Sequence, residues 1–121
     1  MKNKILLIDD DIIYRKIIQK LLCSHYNLLL AQNSLEAISY IENEDMPDLV
    51  IADLNMPGVK GADLIEILKQ KLDSKVPIIV ISGMDHDYLQ KELFQLGISE
   101  FLPKPIDRIM LKEKIAELIK Y

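Results

Sequence analysis

Five short apolar segments recur along the chain, and each is followed by a stretch in which apolar residues recur at helical spacing. The clearest segment is LVIA at residues 49–52, which ends at Asp53, and Met56-Pro57-Gly58 cannot continue it. Unbroken apolar runs of this length are typical of strands buried on both faces, whereas half-exposed antiparallel strands alternate. The other four predicted strands are residues 4–8, 28–31, 76–81 and 100–102. The pattern therefore predicts a parallel sheet between two helical layers.

The intervening segments predict five helices. The first and the fifth are predicted over about residues 11–24 and 107–120. The second opens at Asn33, where an acidic residue three positions later forms a variant of the capping box. We expect Asp85 to cap the fourth helix and Gly97 to end it. The inward residues predicted for the second to fifth helices are Ala37, Ile38, Ile41, Leu64, Ile65, Leu68, Leu72, Leu89, Leu93, Leu111, Ile115, Leu118 and Ile119.

Size and composition limit the classes of protein that this chain can represent. With 121 residues, 50% of them hydrophobic and 28% charged, residues 1–121 are expected to form one globular domain. A net charge of −4 lacks the overall electrostatic footprint of a direct nucleic-acid binder. The one cysteine, Cys23, excludes an internal disulfide and a Cys-rich metal site, and we interpret it as a small apolar filler on a helix.

The first apolar run is too short to direct export, because it stops after Ile8 at three aspartates. No apolar run approaches the length of a membrane span. These observations, together with the cysteine usage, predict a cytoplasmic protein with no membrane partner.

Polar residues end four of the five predicted strands. Asp9 and Asp10 follow the first strand, Asp53 the third, Ser82 the fourth, and Lys104 comes shortly after the fifth. Taken singly, each has an ordinary alternative as a helix cap, a loop hydroxyl or a solvated charge. Because the carboxyl ends of parallel strands share one edge of the sheet, we expect these side chains to meet.

Such a group of residues favours phosphoryl chemistry. Neighbouring carboxylates raise one another's pKa unless a cation lies among them, and an oxygen-rich, thiol-free site suits Mg²⁺. An aspartate can then attack phosphorus and form an aspartyl phosphate. Lys104 and the metal would hold the phosphoryl oxygens, and Ser82 would donate a hydrogen bond to one of them.

Four ordered motifs resemble the receiver domain of two-component response regulators. They are IDD at residues 8–10 with Arg15 following, DLNMP at 53–57, ISG at 81–83 and FLPKP at 101–105. The resemblance covers essentially the whole chain. It implies an α/β fold with a five-stranded parallel sheet in the order 2-1-3-4-5. The implied architecture is the doubly wound, flavodoxin-like (βα)5 arrangement with helices on both faces.

The resemblance also implies roles for the acidic residues. Asp53 would be the phosphoacceptor and would receive its phosphoryl group from the phosphohistidine of a sensor histidine kinase or a histidine phosphotransfer protein. Asp10 and Asp53 would bind Mg²⁺ directly, Asp9 would bind it through water, and the backbone carbonyl of Asn55 would add a further ligand. The domain would catalyse only its own phosphorylation and slow dephosphorylation, so it is expected to be a signalling domain and not a conventional enzyme.

By the same resemblance, Ser82 and Lys104 would contact the phosphoryl group, and Phe101 would occupy the aromatic switch position. Serine stands where threonine is more frequent, and phenylalanine lacks the hydroxyl that a tyrosine would bring. The implied partner surface, for an output domain or a target protein, is the face of the fourth helix, fifth strand and fifth helix. Receivers can also dimerise through this face, so a homodimer is left open.

Three other classes of protein share part of this pattern. The Asp9-x-Asp11 pattern resembles the nucleophile motif of haloacid-dehalogenase-type enzymes, with Asp9 phosphorylated and Asp11 as acid/base, but it leaves Asp53 without a task. A flavodoxin would need a Ser/Thr/Gly-rich loop after the first strand, where this chain has aspartates that repel a phosphate. The last class is an interaction module on the same fold that is not phosphorylated.

Overall fold

The computed structural model describes residues 2–43, 46–54, 60–83 and 87–119. Over these residues, strands and helices alternate in chain order. The strands are β1 Asn3–Ile8, β2 Tyr26–Ala31, β3 Leu49–Asp53, β4 Ile78–Ser82 and β5 Glu100–Pro103. The helices are α1 Ile12–Leu22, α2 Ser34–Asn43, α3 Gly61–Lys71, α4 Asp87–Leu96 and α5 Arg108–Ile119. The predictions that concern Asn55 and Asp85 lie outside the described residues.

All five strands form one sheet in the order β2-β1-β3-β4-β5, and every neighbouring pair is parallel. The predicted fold class and strand order are therefore confirmed. In this register Ile8 of β1 lies beside Ala52 of β3, and Asp53 lies beside Ile81 of β4. The carboxyl ends of the three central strands consequently lie next to one another.

Two apolar layers cover the sheet, one on each face. Successive β1 residues enter opposite layers, as Ile5 and Leu6 do. Helices α2, α3 and α4 pack on the face of Leu6, and helices α1 and α5 pack on the face of Ile5. Every residue of β3 and β4 is buried. Burial on both faces explains the unbroken apolar sequence of these strands.

Local hydrogen bonds fix the helix ends. The Asn33 side chain accepts a hydrogen bond from the backbone N–H of Glu36 (2.8 Å), as the capping-box prediction requires. The Glu36 carboxylate reaches back to the N–H of Gln32 at 2.7 Å, one residue before the cap. Gly97 has a φ of 106° just after α4, so it ends that helix as predicted.

The structure corrects some details of the sequence interpretation. Strand β2 starts two residues before the predicted 28–31, at Tyr26, and β4 starts two residues after the predicted 76–81, at Ile78. The later start agrees with Pro77, which has no N–H to donate to a neighbouring strand. The prediction that Cys23 fills an apolar gap is wrong, because this residue is exposed beyond the end of α1, where Leu22 takes the core position.

No helix in the described ranges is long and apolar enough to cross a membrane.

Candidate functional site

The predicted site residues lie at the carboxyl edge of the sheet. Asp9 directly follows β1, Asp53 ends β3, Ser82 ends β4, and Lys104 directly follows β5. Asp9, Asp53 and Ser82 are only 1%, 2% and 0% exposed, although all three are polar. Polar groups buried at the end of a strand are costly unless they are paired. The burial of these three polar side chains therefore identifies this edge as a candidate functional site.

Lys104 forms an ion pair across the site. Its Nζ lies 2.6 Å from Oδ2 of Asp53, and the two side chains are 14% and 3% exposed. The backbone N–H of Lys104 also donates to the carbonyl oxygen of Ser82 (2.9 Å). This second bond ties the start of the Lys104 loop to the end of β4. These contacts bring the side chains of Asp53 and Lys104 together at this edge and join the backbone of Lys104 to that of Ser82.

Asp9 sits in an environment that opposes its negative charge. The pKa of Asp9 is raised to about 7, mainly by burial and in addition by the charge and hydrogen bond of neighbouring Asp53. A hydrogen bond from the backbone N–H of Asp11 (2.9 Å) and the positive charge of Lys104 act in the opposite direction. Among the described residues, the ammonium group of Lys104 is a positive charge that opposes the repulsion between these two buried carboxylates.

A divalent cation would supply further positive charge between the two carboxylates. Mg²⁺ commonly uses one or two protein carboxylates and keeps its remaining positions for water and phosphate oxygens. Asp9 and Asp53 are a pair of this kind, so the donor set fits the ion. Within the ranges that the structure describes, no group of three or more Asp, Glu, His or Cys side chains is arranged to hold a metal. Asp10, the third carboxylate predicted to bind the metal, is exposed.

Phe101, at the predicted switch position, is 7% exposed and lies in the apolar layer of α2, α3 and α4. It is paired in register with Val80, two residues before Ser82. The ring is therefore inside the molecule and close along the sheet to the end of β4.

Tyr14 is a site neighbour that sequence reasoning missed. The Nζ of Lys104 lies 4.3 Å from the centroid of the Tyr14 ring, within the range of a cation–π contact. The sequence feature that could have predicted this contact is an aromatic residue in the first turn of α1, soon after the acidic residues. Helical periodicity alone does not reveal that this turn faces the end of β5.

The sequence matches a known protein family and several of its members. The sequence model of the family described as "Response regulator receiver domain" matches residues 5–116. The chain is 37% identical over 98% of its length to the 3',5'-cyclic-nucleotide phosphodiesterase regA of Dictyostelium discoideum, but it spans only 16% of that protein. It is 30% identical to chemotaxis protein CheY-3 of Vibrio cholerae, with 97% of this chain and 92% of that protein covered.

A solved structure agrees with the sequence relatives. The response regulator receiver domain protein (CheY-like) from Methanospirillum hungatei superposes with a TM-score of 0.89 at 25% identity, over 98% of this chain and 94% of that chain. The family model, the relatives and the fold therefore point to the same assignment. This chain belongs to the receiver domain family of two-component response regulators.

Proposed function

We propose that Asp53 accepts a phosphoryl group in a Mg²⁺-dependent reaction. The donor would be the phosphohistidine of a sensor histidine kinase or of a histidine phosphotransfer protein. One observation carries the proposal: the buried carboxylate of Asp53 lies 2.6 Å from the ammonium of Lys104 and beside a second buried carboxylate, Asp9. This is an arrangement in which added negative charge can be neutralised.

The reaction is a displacement at phosphorus. A carboxylate oxygen of Asp53 forms the new P–O bond, while the bond from phosphorus to the donor nitrogen breaks and the imidazole keeps the electron pair. Lys104 neutralises charge on the phosphoryl oxygens, and the hydroxyl of Ser82 donates a hydrogen bond to one of them. Asp9, Asp10, Asp53 and the backbone carbonyl of Asn55 would hold Mg²⁺, which adds positive charge at the same oxygens.

The phosphoryl group would then act as a switch. It adds roughly −1.5 to −2 charge units at the carboxyl edge of the sheet. Movement of Ser82 toward this charge would shift the loop after β4 and open space for Phe101, which lies in the adjacent layer. The surface of α4, β5 and α5 would change, and an output domain, a target protein or a second copy of the chain would bind there. A bias of only a few kcal/mol between two packings is enough.

The proposal extends to the whole sequence. We propose that residues 1–121 form one receiver domain, that it works in the cytoplasm, and that it acts as a signalling domain which catalyses only its own phosphorylation and slow dephosphorylation. Relatives such as regA and CheY-3 differ in how much of their length this chain spans. The identity of the output is therefore a separate question from the chemistry of the receiver.

The test is phosphorylation with a small donor. The protein is incubated with acetyl phosphate, with and without Mg²⁺, and an acid-stable, base-labile adduct is located by peptide mapping. We expect modification at Asp53 that requires Mg²⁺. Modification at Asp9 would instead favour the haloacid-dehalogenase-type reaction. Absence of any adduct, together with no transfer from histidine phosphodonors, would favour an interaction module that is not phosphorylated.

A further inference from the structure

The ammonium group of Lys104 lies between an anion and an aromatic ring. On one side is Oδ2 of Asp53, at 2.6 Å, and on another is the face of Tyr14, whose centroid lies 4.3 Å from Nζ. Tyr14 is half-buried, and the lysine side chain is 14% exposed. The contact is thus partly shielded from water, which strengthens a cation–π interaction. The phosphoryl-transfer chemistry proposed above makes no use of Tyr14.

Lys104 and Asp53 follow or end strands that are not neighbours in the sheet. Lys104 follows β5 and Asp53 ends β3, and β4 lies between these two strands. Neighbouring strands are about 4.8 Å apart, so the Lys104 and Asp53 side chains together span roughly 10 Å of sheet edge. A lysine has a flexible four-carbon stem and loses considerable rotamer entropy when it is held in one conformation. A neighbouring group that favours the conformation in which Lys104 reaches Asp53 would therefore help to keep the ammonium there.

The Tyr14 ring is well placed for this task, because its helix is fixed to the same edge of the sheet. The side chain of Asp11 caps α1 and accepts a hydrogen bond from the backbone N–H of Tyr14 (3.4 Å). The backbone N–H of Asp11 in turn donates to the carboxylate of Asp9 (2.9 Å). Contacts thus run from Asp9 through Asp11 and Tyr14 to Lys104, and from there to Asp53.

We infer that Tyr14 is a positioning residue that holds the ammonium of Lys104 over Asp53. The inference rests on the proposed function for its consequence, which is faster phosphoryl transfer to Asp53. The contact is made by the face of the ring, so a phenylalanine would preserve it and a leucine would not. Tyr14 acts through Lys104 and does not touch the reacting atoms.

The first test compares Tyr14→Leu with the matched control Tyr14→Phe. Phosphorylation rates are measured over a series of acetyl phosphate concentrations with Mg²⁺. We expect the leucine variant to lower the maximal rate roughly threefold to tenfold, and the phenylalanine variant to stay within about twofold of wild type. In a Lys104→Met background, Tyr14→Leu is expected to have no further effect, because the group that it positions is absent. An equal loss in both backgrounds would overturn the inference.

A second test does not depend on phosphorylation. Protons above an aromatic face resonate upfield, so the ε-methylene protons of Lys104 should show a ring-current shift by NMR. We expect this shift in wild type and Tyr14→Phe and its loss in Tyr14→Leu, with circular dichroism to verify that each variant is folded. An unchanged Lys104 signal in folded Tyr14→Leu would refute the positioning role. If Asp53 is not phosphorylated in wild type, the proposed function fails, while this spectrum still decides what Tyr14 does.

Discussion

Strand β3 has an aspartate at each end, and the two carboxylates meet opposite environments. Asp48, just before the strand, is exposed; its carboxylate accepts a hydrogen bond from the backbone N–H of Lys4 (2.8 Å), and its own N–H donates to the Lys4 carbonyl (2.8 Å). Asp53, at the carboxyl end, is 2% exposed and is paired with Lys104 beside the buried Asp9.

This difference separates a structural carboxylate from one suited to chemistry. Asp48 remains in water and joins the starts of β1 and β3, so its charge costs little. Asp53 shares a buried space with a second carboxylate, which costs free energy through both desolvation and repulsion. This arrangement gives the carboxyl edge of the sheet an affinity for cations. The carboxyl ends of parallel strands are also where ligands bind in open α/β sheets.

The largest expected difference between the two ends is in phosphorylation. Asp53→Asn removes the nucleophile and should abolish the acid-stable, base-labile adduct formed with acetyl phosphate and Mg²⁺. Asp48→Asn, the matched change at the other end of β3, should leave the rate within about twofold of wild type, because Asp48 only joins two backbones. Both variants are measured by intact-protein mass under the same conditions. Full phosphorylation of Asp53→Asn would remove the distinction between the two aspartates.

A second comparison uses two ion pairs of nearly equal length. Lys104 lies 2.6 Å from Asp53 in a buried setting, and Lys71 lies 2.7 Å from Glu42 with both side chains at least 40% exposed. Lys104→Met should slow phosphorylation on the order of a hundredfold, as removal of a transition-state charge partner typically does. Lys71→Met should leave the rate unchanged and should lower the free energy of unfolding by less than about 1 kcal/mol.

The stabilities of Lys104→Met and Lys71→Met are also compared, by urea unfolding at pH 8. Lys104→Met leaves two buried carboxylates without their ammonium partner, so we expect a loss of on the order of 3 kcal/mol, limited by proton uptake at Asp9. Equal losses in Lys104→Met and Lys71→Met would mean that burial does not distinguish these pairs.

The third prediction concerns pH. The pKa of Asp9 is about 7 in the folded protein and 3.8 as an unperturbed group, so protonated Asp9 favours the folded state. This contribution is fully present below about pH 4 and is lost as the pH rises through 7. Since a tenfold change in proton affinity is about 1.4 kcal/mol, wild type should lose a few kcal/mol of stability over this range without Mg²⁺.

Asp9→Asn should lack this pH dependence and should be more stable than wild type at pH 8. Added Mg²⁺ should stabilise wild type at that pH and narrow the gap, because it compensates the carboxylates. The measurement is urea unfolding from pH 4 to pH 8, with and without the ion. A wild-type profile that rises toward pH 8 as steeply as that of Asp9→Asn would contradict the burial cost assigned to Asp9.

Local patterns in the sequence predicted a parallel sheet between helical layers and the polar residues at the ends of its strands, and the resemblance to receiver domains supplied the strand order. Continuous apolar runs locate β3 and β4, and parallel topology then places Asp9, Asp53 and Lys104 at one edge. The contact between Tyr14 and Lys104 was not predictable in this way. It depends on how α1 packs beside the end of β5, which is a tertiary distance and leaves no periodic signal. Burial of Asp9, the main cause of its raised pKa, likewise follows from packing on several sides.

The smallest expected effect is at the amino end of β3. Asp48→Ala removes a hydrogen bond between residues 44 positions apart, whereas Asp73→Ala removes a similar exposed bond to the N–H of Lys75, two residues away. The freed N–H groups can turn to water, so we expect Asp48→Ala to cost about 1 kcal/mol and Asp73→Ala less, by urea unfolding. Neither variant should alter phosphorylation. A loss larger for Asp48→Ala than for Lys104→Met would reverse the contrast, because the exposed end would then contribute more to stability than the buried one.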